Sequence, residues 1–398
     1  MLQSLRTDEM DKMNKIDTED IVYLAAILAT TGLGRAKLPA LVQALGSAQA
    51  VFEAQPQQLI ATGLVSDAAA ATFISKRRSD LPQRLARFCQ LEGVRLIGYT
   101  SAEYPKSLLR IADPPLVLYV KGSLPKAGYC LAVVGSRACT EYGKKAAKLF
   151  TKDLAGRGIP IISGGARGID TIAHEACLSV GGTTVAVLGC GLNIAYPEEN
   201  ASLFQRIVNQ GGALVSEYAP GTQPLAKNFP ARNRIIVGLS QGVLVAEAKL
   251  KSGAIITANI AADEGREVYC VPGNIFDKTS LGCHELIRTG AKLVDTPQDI
   301  LEDKVQWELA QRERLVQPSI FDFATDAEKQ EEQAPLTSEL GSKLLSLLQG
   351  GSLSLEELVE GSGTDFASVS MELLELQGAG LINQNQALRY YRREGEMR

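Results

Sequence analysis

Two stretches pair short β-branched runs with residues suited to holding an anion: LAVVGSR (Leu131 to Arg137) and IPIISGGARGID (Ile159 to Asp170). In the second, the apolar run ends in Ser163, Gly164 and Gly165. Gly168 follows, and then Ile169, Ile172, Ala173 and Ala176 recur at helical spacing. Glycine at a strand-to-helix junction lets bare backbone N–H groups face outward, and the helix start adds partial positive charge. Arg137 leaves the end of the neighbouring run, so its guanidinium can reach the same guest as a bidentate fork. The pattern predicts a phosphate cradle. Asp170, in the first helical turn, would repel a phosphate and is read instead as an anchor of the loop.

A second cationic stretch is KNFPARNRIIVGLS, Lys227 to Ser240, placed just before a helix or strand expected from Ile235. Lys227, Arg232 and Arg234 beside Phe229 and Asn233 suit a single-stranded nucleic-acid groove, with cations on phosphates and the ring on a base. The same residues equally suit a core phenylalanine with a structural salt-bridge lattice, its carboxylates Glu217 or Glu247. Downstream, Glu247 ends a strand-like run, and Lys249, Lys251, Ser252 and Gly253 precede another helical start, a further anion-receptive turn. His174 and His284 read as packing or helix-cap residues and are too isolated for a metal site. A dinucleotide site is disfavoured: the order S-G-G-A-R-G-I-D is not G-x-G-x-x-G, and the next strand ends in Gly189-Cys190-Gly191 without a ribose-gripping acid. No G-x-x-x-x-G-K-S/T occurs, and no nucleophile–base pair stands out, so enzymatic readings find little support.

The elements that must position these residues follow from periodicity. Continuous apolar runs at Val94 to Ile97, Leu116 to Val120, Leu131 to Val134, Ile159 to Ile162, Thr184 to Leu188, Ala213 to Val215, Val243 to Val245 and Val268 to Val271 suit strands covered on both faces. Helical patterns lie between several of them, which predicts a doubly wound α/β sheet with its ligand at the carboxyl ends of the strands. Residues 1–90 read as an N-terminal helical domain. Its Thr31-Gly32-Leu33-Gly34 turn fits either a helix-hairpin-helix (SAM-like) unit or a plain helical bundle. Residues 91–300 form the sheet-bearing core and 301–335 an acidic, mobile linker with an Ile320–Phe323 apolar island. Residues 336–398 show three helices and a hairpin with its turn at Gln384-Asn385, the order of a winged helix. Its third helix is acidic, which favours protein contact over groove reading.

Net charge is −4, but the average hides a split: Lys121 to Asp295 carries +5 and Asp299 to Glu339 carries −7. The seven cysteines show no C-x-x-C spacing, as in a reducing cytosol. The longest early apolar run, Ile21 to Ala29, is too short to span a bilayer. The expectation is a cytoplasmic protein with no membrane partner.

Taken in order, VGSR, SGGARGID, FPARNRIIVGLS, EGREVYCVPG and GCHELIRTGA closely resemble the DprA/Smf DNA-processing family over roughly residues 20 to 300. The resemblance implies an extended Rossmann-like core binding single-stranded DNA without sequence preference. It also implies self-association as a homodimer or larger, protection of incoming DNA, and loading of the recombinase RecA during natural transformation and recombination. No enzymatic activity and no cofactor are implied. Carried over by position, Arg137, Ser163, Gly164, Gly165, Arg167, Gly168, Lys227, Phe229, Asn233 and Arg234 become the DNA groove. Departures are His284, Glu264 and Glu198, where the family commonly has Asn, Gln and, in some members, Lys. The alternative is a nucleoside-monophosphate-cleaving enzyme of the lysine-decarboxylase-like type. Those resemble PGGxGTxxE, whereas the corresponding turn here, Lys251 to Asn259, lacks the terminal glutamate.

Overall fold

Short runs of Val, Ile, Leu and Ala without polar alternation form the inner strands. These are β3 (Leu131–Val134), β4 (Ile161–Ser163), β5 (Thr184–Val187), β6 (Ala213–Ser216) and β7 (Gly242–Val245), and every residue in them is buried. Burial on both faces selects such uniform runs. In a computed structural model, which describes residues 20–126, 128–316, 338–378, 381–384 and 389–392, β1 (Val94–Gly98), β2 (Val117–Gly122), β8 (Glu267–Cys270) and β9 (Lys292–Leu293) complete the sheet. Its order is β1-β2-β6-β5-β4-β3-β7-β8-β9. From β6 to β9 all neighbours are parallel, while β1 and β2 add an antiparallel edge not anticipated from sequence.

The intervening helices are α7 (Glu141–Gly156), α8 (Ile169–Leu178), α9 (Ala201–Asn209), α10 (Asn228–Gly238), α11 (Gly253–Asp263), α12 (Leu281–Arg288) and α13 (Gln298–Val316). Alternation along β3 divides the core. Leu131 and Val133 face Phe150 and Leu154 of α7 and Ala173 of α8, whereas Ala132 and Val134 face Ile235 and Ile236 of α10 and Ala258 of α11. The chain steps outward from β3 through β4 and β5 to β6, then returns to lay β7 against β3's other side. That reversal is the topological switch point, where the loops part and a ligand crevice opens.

The N-terminal helices are residues 20–29 (α1), α2 (Leu38–Leu45), α3 (Ala48–Glu53), α4 (Pro56–Ala61), α5 (Asp67–Lys76) and α6 (Leu81–Glu92). Their core runs into Val94, Leu116, Val117 and Tyr119 at the antiparallel edge, so they share apolar contacts with the sheet. The first part of the stretch expected as linker is helix α13. Its Trp307 packs edge-on against Tyr129, with ring centroids 5.7 Å apart. The Ile320–Phe323 island lies outside the described residues.

The chain divides into two units, Met1–Glu313 and Arg314–Arg398. In the second, α14 (Glu339–Leu347), α15 (Leu355–Ser362) and α16 (Phe366–Gly378) close over Leu344, Leu358, Val369, Leu373 and Ile382. Strands β10 (Ile382–Gln384) and β11 (Tyr390–Arg392) pair antiparallel. Gln384 of the expected turn ends β10, and Asn385 lies outside the described residues. Among the described residues no helix is long and apolar enough to cross a membrane.

Candidate nucleic-acid interface

At the switch point the loops after β3 and β7 form two banks of an open groove of about 570 Å³. Gly135 to Ala138 line one bank and Lys249 and Lys251 to Ala254 the other, with Tyr196 and, from α10, Phe229, Pro230, Arg232 and Asn233 between them. The banks are tied together by Glu247, which is 2% exposed. Its carbonyl accepts from Ser136 N at 2.8 Å, and its carboxylate accepts from Thr140 N at 3.1 Å and from the Thr140 hydroxyl. Thr140 in turn caps α7 by accepting from Gly143 N.

Helix α10 begins at Asn228, not near Ile235 as expected. Pro230, which suggests irregular chain, sits in the first turn, where its missing N–H costs nothing. Asn228 pins that turn by donating to Gly189 O at 3.1 Å. Lys227 therefore projects, exposed, from the helix start, and Asn233 faces the groove one and a half turns on. Phe229 is half-buried. The Arg137 guanidinium lies 5.3 Å from its ring centroid, and the Tyr196 ring is 5.4 Å away at a 36° tilt. The aromatic seat holds Arg137 over the groove by cation–π attraction.

The Gly-rich cradle differs from the expectation. The N–H groups of Gly164 and Ala166 donate to Asp170 Oδ2 at 3.1 and 3.2 Å, so the anion they hold is internal. Ser163 is fully buried and its hydroxyl donates to Val133 O at 2.7 Å. Beneath the loop, buried Arg232 donates to Gly164 O at 2.7 Å and to Val187 O. Burial pushes Asp170 up to about 6, against the pull of Arg232, and pushes the Arg232 guanidinium down to about 10. Gly165 O accepts from Asn200 Nδ2 at 2.9 Å. At Gly168, φ is +77° and an added Cβ would run into the carbonyls of Ser136 and Arg137. The turn therefore supports Arg137, and two of its N–H groups are taken by Asp170. Asp170 anchors the loop, as the sequence suggests.

Two cations are engaged elsewhere. Arg234 donates to Glu217 at 2.6 Å and to Asp113 at 3.0 Å, and Arg35 from the N-terminal helices joins both carboxylates. For Arg234 the salt-bridge alternative, with Glu217, is the observed arrangement. Arg167 pairs with Glu199 on the surface, Nη2 to Oε2 at 3.0 Å. What converges on the groove is Arg137, Phe229 and Asn233, with Lys249, Lys251 and Ser252 opposite. Ser252 Oγ, at the start of α11, is enclosed with no hydrogen-bond partner among the described residues. Tyr196 escaped the sequence reading; its signal was an aromatic in the loop that Gly189-Cys190-Gly191 opens at a strand end. Among the described residues no cluster of three or more His, Cys, Asp or Glu could hold a metal ion.

A family model for DNA recombination-mediator protein A matches residues 95–304. Protein Smf of Escherichia coli K12 is 42% identical over 316 residues, covering 79% of this chain and 81% of that protein. DNA processing protein DprA of Streptococcus pneumoniae R6 is 49% identical over 201 residues, 50% of this chain and 71% of that protein. The X-ray structure of DprA from Streptococcus pneumoniae aligns with a TM-score of 0.60 at 36% identity, covering 71% of this chain and 97% of that one. With the sheet, its switch-point groove and these likenesses together, the chain belongs to the DprA/Smf family of DNA recombination-mediator proteins.

Proposed function

We propose that the chain binds single-stranded DNA without sequence preference in the groove at the β3–β7 switch point, as a DNA-processing protein of transformation and recombination. The observation that carries this reading is Arg137 seated on Phe229 beside Tyr196, facing Lys249 and Lys251 across one groove. Cations on both banks suit successive phosphates, and an aromatic pair suits a base. Asn233 lines the same groove, Lys227 stands exposed at its margin at the start of α10, and the Ser252 hydroxyl supplies a donor at the start of α11, where an anion is favoured. Gly164, Gly165 and Gly168 shape the loop under Arg137. The name of the Streptococcus pneumoniae relative, DNA processing protein DprA, fits a DNA-processing role. Protection of the incoming strand, loading of RecA onto it, and self-association belong to the same reading, as do a cytoplasmic location and a winged-helix identity for the second unit.

Polarisation titration of labelled oligo-dT at two ionic strengths, run beside a duplex, tests it. Arg137→Ala should weaken binding to every single strand alike and make the salt slope shallower by about 0.7 per lost phosphate contact. An unchanged affinity, or an equal loss on duplex, would remove the groove from consideration. Incubation with AMP, watched for free adenine, checks the enzymatic alternative.

A further inference from the structure

We propose that the lysine face of α7 extends the DNA track, carrying the phosphates of the same single strand beyond the switch-point groove. This rests on the groove reading above. Lys144, Lys148 and Lys152 follow at intervals of four, with Lys145 beside them, so all four lie toward one side of the helix. They line a second open groove of about 520 Å³, walled by Ala176 of α8 and Ser179 just past its end, and reached by Arg206 of α9. Two carboxylates, Glu141 and Glu175, share it with five cations. Glu141 is committed to Lys144 at 2.7 Å. Lys145, Lys148, Lys152 and Arg206 make no ion pair among the described residues.

Such a row works against its own helix. Like charges four apart destabilise by a few tenths of a kcal/mol each, and here they are kept on a chain whose net charge is −4. Leu149, 57% exposed, sits among Lys145, Lys148 and Lys152 and gives the row an apolar strip on which a base or sugar can rest. Placement supports continuity. Helix α7 starts at Glu141, four residues after Arg137, so the two cannot be more than roughly 14 Å apart. From there its 16 residues run for about 24 Å. Lysine, a point charge on a flexible stem, suits phosphates that need following rather than a planar group that needs reading. A cleft between two helices admits a pliable strand with its bases free, which is why a single strand fits better than a duplex.

The test uses the full chain and the triple variant Lys145→Gln/Lys148→Gln/Lys152→Gln, which preserves helix propensity. Oligo-dT of about six and of about thirty nucleotides are titrated across a salt series, bracketing the length one groove holds. On the long strand the variant should lose about tenfold to a hundredfold at low salt, with a slope shallower by about 2. On the short strand the affinity should stay within about twofold, since that strand fits the first groove alone. Arginine at the same three positions should retain long-strand affinity. Equal losses at both lengths, no loss at either, or no retention by arginine overturns the proposal. Arg137→Ala separates the two readings. If it weakens both lengths and the triple variant weakens neither, only the extension fails. If it weakens neither, the groove reading falls and the shared track with it.

Discussion

Phe229 has two roles that a substitution would split. Its ring seats the Arg137 guanidinium and also borders Tyr196, whose exposed surface is free for stacking. Phe229→Ala should lower single-strand affinity by about 1–3 kcal/mol and, by unseating Arg137, make the salt slope shallower. Tyr196→Ala should lower affinity with little change in slope and leave the thermal midpoint nearly unchanged; a polarisation salt series and melting curves read these effects separately. Under the loop, two buried groups pull stability in opposite directions with pH. Asp170, raised by burial from 3.8 to about 6, holds its proton more tightly when folded. Its contribution is complete below about 4 and is lost as pH rises through about 6. His174, lowered by burial from 6.5 to about 3, resists protonation when folded, so its contribution is present above 6.5 and is lost on acidification. The two slopes oppose each other between about pH 4 and 6. Asp170→Asn should therefore expose the histidine's slope: melts across that range should fall more steeply with acid than those of the parent chain. Parallel curves would show that the carboxyl is ionised inside the fold.

Among the elements, the β3–α7 and β4–α8 junctions depend on one close approach. Gly168 has φ of +77° with carbonyls of the adjoining loop where a Cβ would sit, so Gly168→Ala should destabilise by more than about 1 kcal/mol, seen as a lowered urea midpoint. Binding should fall further than stability alone explains, because Arg137 follows the displaced carbonyls. The parallel strands β3 to β8 were legible in the sequence because burial on two faces leaves an unbroken apolar run, whereas the short, partly exposed β9 was not. Helix α10 was not, since Pro230 masks a first turn that tolerates it. The Gly-rich loop was legible as a set of outward N–H groups, but that Asp170 takes two of them was not. Asp170 lies only six residues beyond Gly164, and local sequence cannot tell an internal carboxylate from an external phosphate. Lys121 and Gly122 near one edge likewise gave no sign that β2 runs antiparallel to β6, a matter of long-range pairing.

In the larger of the two units, the N-terminal helices and the sheet meet through charge as well as apolar packing. Arg35 and Arg234 share Glu217 and Asp113, and the Glu217 and Arg234 side chains are only 10% and 11% exposed. Removing one partner from such a set strands the other, at about 3–5 kcal/mol. Glu217→Gln should therefore lower unfolding free energy by several kcal/mol in urea, and Arg234→Ala should act on stability in the same sense. Neither should alter the salt slope of DNA binding. A changed slope for Arg234→Ala would return that residue to the groove. Glu247 makes the opposite sort of connection, between the two banks themselves. Because Glu247 already ties both rims, single-strand capture is expected to need no closure of the groove. Ordering then falls to the incoming oligonucleotide, and capture should proceed as a single concentration-dependent phase, fast at low ionic strength and without a unimolecular step behind it.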